Sequence, residues 1–427
     1  MYRARIFILM SILAVGGARL SFAQSDLTPP EQVGMSAAGL ARIKPAIAEY
    51  VEHDQIAGAI TMIARKGKIV YFDAIGMQDI DAKKPMRRDT ICRFYSMSKP
   101  ITSVAIMMLV EENKLQLDDP ASKYLPELAG VKVFVRENGD KLELESPRRE
   151  MTIRDLLRHT SGLTYGFFGN TPVDRRYVTA GILSPESNLA EMITKLGSLP
   201  LLYQPGTQFN YSVSCDVLGR VVEVASGKSF DEFLSERIFK PLRMTDTAFY
   251  VPAEKLDRFA TNYGPKTGGS GLQVVDAPAT SAFASKPRLL SGGGGLVSTA
   301  SDYMRFCQMM LNRGTLDDVR LLRAESVEMM THNQLPPEAY PIGIAGIKRP
   351  GVGFGLGFSV ITERVDAAPY LPLGEYGWGG AASTHFWICP DQELAVIVLT
   401  QYMPFSQRLE AAVKPLVYDS IMRPVKN

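Results

Sequence analysis

Histidine and cysteine are scarce in this sequence, four of each in 427 residues, and neither gathers into a pattern. The cysteines (Cys92, Cys215, Cys307, Cys389) lie far apart with no C-x-x-C pair, and the histidines are as scattered, so a metal centre of recognisable spacing is excluded. No Lys/Arg block, aromatic-interleaved basic stripe or zinc-finger spacing occurs, which sets nucleic acid aside as a partner. There is no G-x-S-x-G elbow, which argues against an ordinary α/β-hydrolase. Internal repeats and low-complexity tracts are absent as well.

The first residues do carry a pattern. Arg3 and Arg5 precede an apolar run from Ile6 to Val15, and Ser21-Phe22-Ala23 puts small residues where a signal peptidase would cut. The run is too short to span a membrane, and no cysteine follows to accept a lipid. A signal peptide over 1–23, cleaved after Ala23, predicts a periplasmic or secreted protein with no membrane span. Its removal takes three arginines and no acid from a chain of net charge +2, leaving −1. The apparent basicity therefore belongs to the leader. Export permits a disulfide, and Cys92 with Cys215 is the pair that would form it, although buried free thiols are the expected state.

Along the mature chain, Ser36 opens a helical pattern, and Ala59–Ala64 and Ile69–Phe72 read as strands joined by the turn-forming Arg65-Lys66-Gly67-Lys68. From about Leu115 to Ala284, helical stretches alternate with Pro/Gly punctuation and strands are few. Thr152-Ile153-Arg154-Asp155 is a capping-box start for a short helix, and helical patterns cover Val213–Ala225 and Phe230–Phe239. Thr299 caps a helix running to Leu311. Strand patterns return in Phe354–Ile361, Thr384–Ile388 and Leu394–Leu399, and a helix from about Ser406 to Met422 closes the chain. Strands at both ends with helices between predict an α/β (α+β) fold. Its antiparallel sheet domain would be built from 24–95 and 285–427, with a mostly helical domain at 96–284.

The chemistry centres on Ser96-Met97-Ser98-Lys99, just ahead of the apolar helical run from Ile101 to Val110. If the helix begins near Ser96, residues three apart share a face, so the Lys99 amine reaches the Ser96 hydroxyl and activates it without histidine. Backbone N–H groups at a helix start would stabilise an anion there. Pro100 suits the first turn, where its missing N–H costs nothing.

Five motifs in order then resemble the serine β-lactamase and penicillin-binding-protein-like hydrolases, in particular family VIII carboxylesterases. They are Ser96-Met97-Ser98-Lys99, Leu156–Leu163, Gln204–Ser212, Gly293–Thr299 and Trp378-Gly379-Gly380. The resemblance implies that Ser96 is the acylated nucleophile, Lys99 its activating partner and Tyr211 the tyrosine that moves protons to and from it. It leaves open which of Lys99 and Tyr211 is the acylation base. It further implies an oxyanion pocket from the N–H groups of Ser96 and Ala381, with Trp378, Gly379 and Gly380 on the strand along which substrate lies. Lys266-Thr267-Gly268 spells the corresponding β-lactamase tripeptide, but its surroundings read as a loop, and it is set aside as surface.

Two departures from β-lactamases narrow the expected substrate. Trp378 stands where those enzymes put a lysine that pairs with the lactam carboxylate, and Val213 where they put an amide. The expectation is a small-molecule acyl ester or amide substrate, short or medium acyl esters first, and no cofactor. The alternatives are a β-lactamase, a D-amino-acid peptidase or an acyltransferase of the same fold, or a catalytically silent binder of cell-wall or acyl ligands. His159 and His385 stay undecided, His159 being more simply a histidine that satisfies backbone groups at a helix end.

Overall fold

A computed structural model of the chain describes residues 27–139, 141–365 and 368–422. The leader expected over 1–23 lies outside them. At the centre are two strands whose sequences are apolar almost without interruption, β1 (Gly58–Arg65) and, far along the chain, β8 (Leu394–Thr400). Every residue of both is buried. Such strands suit a sheet covered on both faces, and they pair antiparallel in register from Ala59↔Thr400 to Arg65↔Leu394.

Around this seam the sheet extends with β2 (Lys68–Asp79), β3 (Lys84–Pro85), β4 (Val352–Phe354), β5 (Ser359–Ile361), β6 (Tyr376–Gly380) and β7 (Thr384–Cys389). The order is β4-β5-β6-β7-β8-β1-β2-β3, with every neighbouring pair antiparallel. Alternate residues of β1 feed different cores. Ala59 and Ile63 join the layer under α1 (Ile43–Glu52) and α6 (Arg408–Asp419), whereas Ile60, Met62 and Ala64 join the larger core. Each fully buried Ile, Val or Leu contributes about 1.5–3 kcal/mol.

That larger core surrounds α2 (Ser98–Glu111), twelve of whose fourteen residues are buried. A helix apolar all round has no solvent face and must lie at the centre. Against it packs α4 (Ser214–Ser226), while α3 (Ile153–Leu157) and α5 (Ala300–Leu311) complete the layer. Thr152 caps α3 in a full capping box with Asp155, as its sequence predicts.

The structure corrects several expectations. Phe354–Ile361 is two short strands, with Gly357 at φ +98° in the turn between them. The middle of the chain holds two hairpins, 133–145 and 262–276, that its punctuation hides; the first is largely exposed, whereas Asn262, Tyr263 and Gly264 of the second are buried. Lys266-Thr267-Gly268 forms the exposed tip of the second. The cysteines, by contrast, follow expectation: all four are free and buried, and Cys92 and Cys215 form no bridge.

Candidate active site

Ser96 sits in a 3-10 turn, Tyr95–Met97, and the α-helix starts two residues later than expected, at Ser98. Tyr95 takes φ +41°, a left-handed value uncommon outside glycine. Such a residue costs about 1–3 kcal/mol and is retained where its surroundings over-determine it. Those surroundings are specific. Cys92 and Arg93 pair antiparallel with Ser298 and Val297, Phe94 N–H donates to Leu296 O (2.9 Å), and Leu296 N–H donates to Ser98 Oγ (3.0 Å). Arg93, fully buried, anchors the approach by an ion pair with Asp276 at 2.6 Å.

This ladder carries the glycine loop 292–295 beside the helix start. Lys99 Nζ donates to Ser96 Oγ at 3.1 Å and to Gly293 O at 2.6 Å. The contact expected between Lys99 and Ser96 is therefore present, although one partner lies in the 3-10 turn. Lys99 is wholly buried, whereas Ser96 keeps part of its surface exposed to the cleft.

Tyr211 arrives from the segment before α4. Asn210 N–H donates to His159 O (2.8 Å), and Ser212, Ser214 and Ser161 form a hydroxyl chain with 2.8 Å steps. The Lys99 ammonium lies 4.6 Å from the centre of the Tyr211 ring. Trp378 Nε1–H donates to the Tyr211 hydroxyl at 3.2 Å, which occupies a lone pair and turns the phenolic O–H elsewhere. Where a lysine would bind a lactam carboxylate, this chain thus has an indole that orients its tyrosine.

Gly380 shows why the strand carrying Trp378 ends in glycine. A Cβ there would stand 2.1 Å from Phe94 O, so only glycine lets β6 lie against the turn that carries Ser96. Ala381 follows directly and is half-buried. Gly379 faces the other way, toward His385 and Phe405.

The two histidines part company. His159 is fully buried at φ +57°, its Nδ1 3.4 Å from Ser212 Oγ and its ring 4.9 Å from that of Tyr211. It walls the tyrosine and does not cap backbone. Burial, with the positive Lys99 nearby, holds its imidazole well below the ordinary range, so the ring is neutral. His385 belongs to the layer under α6, with Nδ1 3.0 Å from Glu410 and Nε2 3.0 Å from Ser406 O.

Sequence reading missed Asp216 and Tyr165. Asp216, fully buried on α4, accepts from Ser291 Oγ (2.5 Å) and Gly293 N–H (3.0 Å), fixing the loop whose carbonyl accepts a hydrogen bond from Lys99. Burial pushes its carboxyl up, and Lys99 pulls it back down. Tyr165, 5.3 Å from Lys99 and 5.4 Å ring to ring from Tyr211, closes the inner side. The available signal for Asp216 was its position, an acid in the first turn of the helix that follows Tyr211.

Among the described residues, no group of His, Cys, Asp or Glu side chains could hold a metal ion, and no helix is long and apolar enough to cross a membrane. The arrangement can activate a hydroxyl, hold an oxyanion against backbone N–H groups and pass a proton through a phenol.

The family model described as Beta-lactamase matches residues 43–416. Protein Rv1367c of Mycobacterium tuberculosis is 38% identical over 363 residues, 84% of this chain and 89% of that protein. Esterase EstB of Burkholderia gladioli is 30% identical over 410 residues, 91% of this chain and 98% of that protein. Among solved structures, EstCE1, described as a hydrolase with promiscuous acyltransferase activity, superposes with a TM-score of 0.77 at 27% identity, covering 89% of this chain and 99% of its own.

Proposed function

This chain belongs to the Beta-lactamase family and is a serine hydrolase or acyltransferase, and from that premise we propose that it hydrolyses uncharged acyl esters through an acyl-Ser96 intermediate. The observation that carries the reading is the 3.1 Å contact of Lys99 Nζ with Ser96 Oγ, beside a tyrosine held by Trp378. Ser96 Oγ attacks the ester carbonyl while its proton passes into the Lys99–Tyr211 pair. Backbone N–H groups of Ser96 and Ala381 hold the oxyanion, an interaction of the kind worth about 10²–10³ in rate per donor. As the tetrahedral intermediate collapses, Tyr211 returns a proton to the departing alkoxide, and the alcohol leaves. Water then attacks the acyl-serine by the same proton route, releasing the acid and restoring the hydroxyl.

Trp378 and Val213 favour esters over lactams, since neither offers the charge or amide that a β-lactam would meet. The EstB relative, an esterase by name, supports the same choice. The N-terminal pattern supports an exported enzyme, with mature N-terminal residue Gln24. Ser96→Ala is expected to abolish hydrolysis of p-nitrophenyl butyrate with thermal unfolding unchanged. Retention of wild-type turnover in that variant would overturn the assignment.

A further inference from the structure

A chamber of about 600 Å³ opens beside the catalytic cluster, a size suited to a drug-sized ligand. Its walls are the segment 202–211, the loop that carries Phe168, and the 338–348 stretch with its small hairpin, Gly343–Ile344 paired to Ile347–Lys348. Tyr211 is the member of the catalytic group that lines it, whereas Ser96, Gly380 and Ala381 do not. On the reading proposed above, on which this inference rests, Tyr211 hands a proton to the leaving alkoxide. The oxygen receiving that proton must lie on the tyrosine's side of the reacting carbonyl, with its substituent beyond it. We infer that the chamber is the site of the alcohol half of the ester, and that it selects bulky, uncharged, ring-bearing alcohols.

Its lining combines aromatic surface with neutral polar side chains, Thr207, Gln208 and Asn210 among them, which suits a ring-bearing alcohol that also carries uncharged polar groups. Phe168, Tyr203, Phe209 and Tyr340 join Tyr211 in presenting aromatic surface, with Ile344 opposite. Phe168 lies 5.7 Å from Tyr211 and 4.7 Å from Phe167, which is 61% exposed, so an aromatic path runs from solvent to the proton donor. Aromatic faces favour flat, apolar rings. The charged groups in the lining do not share one sign. Asp174 is occupied by the Thr164 and Thr171 hydroxyls at 2.6 and 2.8 Å, and Glu338 and Lys348 carry opposite signs.

The covalent step balances. The Ser96 Oγ–acyl bond forms, the acyl C–O bond to the alcohol breaks, and the proton lost by Ser96 ends on the alcohol oxygen. The chamber therefore acts on acylation alone. Once the alcohol has left, one acyl-enzyme is common to every ester of the same acid.

The test uses the full-length enzyme with butyrate esters of methanol, benzyl alcohol and 2-naphthylmethanol, and methyl esters of acetic, butyric and octanoic acids. kcat/KM, which reports acylation, is expected to rise by about tenfold or more from methyl to naphthylmethyl butyrate. Ile344→Trp, which fills the chamber from the hairpin, is expected to lower the naphthylmethyl-to-methyl ratio by about tenfold and leave the octanoate-to-butyrate ratio in place. Gln208→Trp, at an exposed position on another wall, provides the same readout without risk to the core. An alcohol ratio that stays fixed while the acyl ratio moves would place the acid half in the chamber and overturn the inference, as would a wild-type enzyme indifferent to the alcohol. Intact-mass detection of butyryl-Ser96 separates this failure from that of the hydrolase reading. If the adduct appears, the hydrolase reading stands whichever ratio moves; if no ester leaves an adduct or turns over, that reading falls first.

Discussion

His159 shows what a single buried side chain does to the behaviour of the whole. An unfolded chain lets this imidazole take up a proton near about pH 6.5, whereas the folded protein holds it neutral well below that. The unfolded state therefore binds the extra proton, and the contribution is complete above that pH and erodes as the solution becomes more acid, by about 1.4 kcal/mol per pH unit until the folded group also titrates. His159→Asn, which tolerates the φ of +57° at this position, is expected to remove this slope. Urea titrations at pH 7.5 and 5.5 check it, and an equal loss in variant and wild type would show that the ring titrates freely. Residue-scale legibility followed the same division. The contact of Lys99 with Ser96 was readable from their spacing, whereas Tyr211 and Trp378 came into view only through the family resemblance. Asp216 was legible by neither route, because its role comes from burial against Ser291, 75 residues further on.

Among the elements, α3 illustrates how much a short helix can depend on one residue. Asp155 receives Thr152 N–H (3.0 Å), Thr160 Oγ1–H (2.8 Å) and the guanidinium groups of Arg149 and Arg158, all with its own side chain buried. Burial raises its pKa, but Arg149 and the other donors outweigh this and leave the carboxyl below the usual range. Its contribution is thus present above the unfolded value of about 3.9 and is lost as pH falls further. Asp155→Ala is expected to destabilise by roughly 3–5 kcal/mol at pH 7, with a smaller difference from wild type at pH 3. A chemical melt shifted by less than about 1 kcal/mol at pH 7 would contradict this reading. The capping box itself was visible in the sequence. The two hairpins of the middle region were not, because a ribbon such as 133–145 buries almost none of its side chains, and the alternation in Lys141–Glu145 is too short to stand out among Pro/Gly punctuation. Nor was the break within Phe354–Ile361, which is dictated by contact. A Cβ on Gly355 would lie 2.0 Å from Met330 O.

At the level of the molecule, both ends of the chain build one sheet, and a buried ionic network holds the terminal helix to it. Lys414 bonds Glu375 (2.9 Å) and Glu410 (2.7 Å), Glu410 reaches His385, and Tyr418 donates to Glu375. Burial alone would lower the Lys414 ammonium's affinity for its proton, but the two carboxylates raise it. Lys414→Met leaves those carboxylates buried without their cation, and a loss of about 3–5 kcal/mol is expected, read as a lower thermal midpoint with Ser96 labelling by a fluorophosphonate retained below it. An unchanged midpoint would remove the network from the account of stability. The overall plan was legible because β1 and β8 are apolar on both faces. The network was not, since sequence spacing gives no hint that Glu375 and Lys414 meet.

One consequence of that plan concerns time. The backbone N–H expected to hold the oxyanion belongs to Ala381, and Gly380 brings it against the turn of Ser96, a residue made much earlier. At roughly 5–20 residues per second, a ribosome needs about a quarter of a minute to a minute to travel between them. Throughout that interval the nascent polypeptide carries Ser96 without the strand expected to arm it, so reactivity waits until Ala381 has been made.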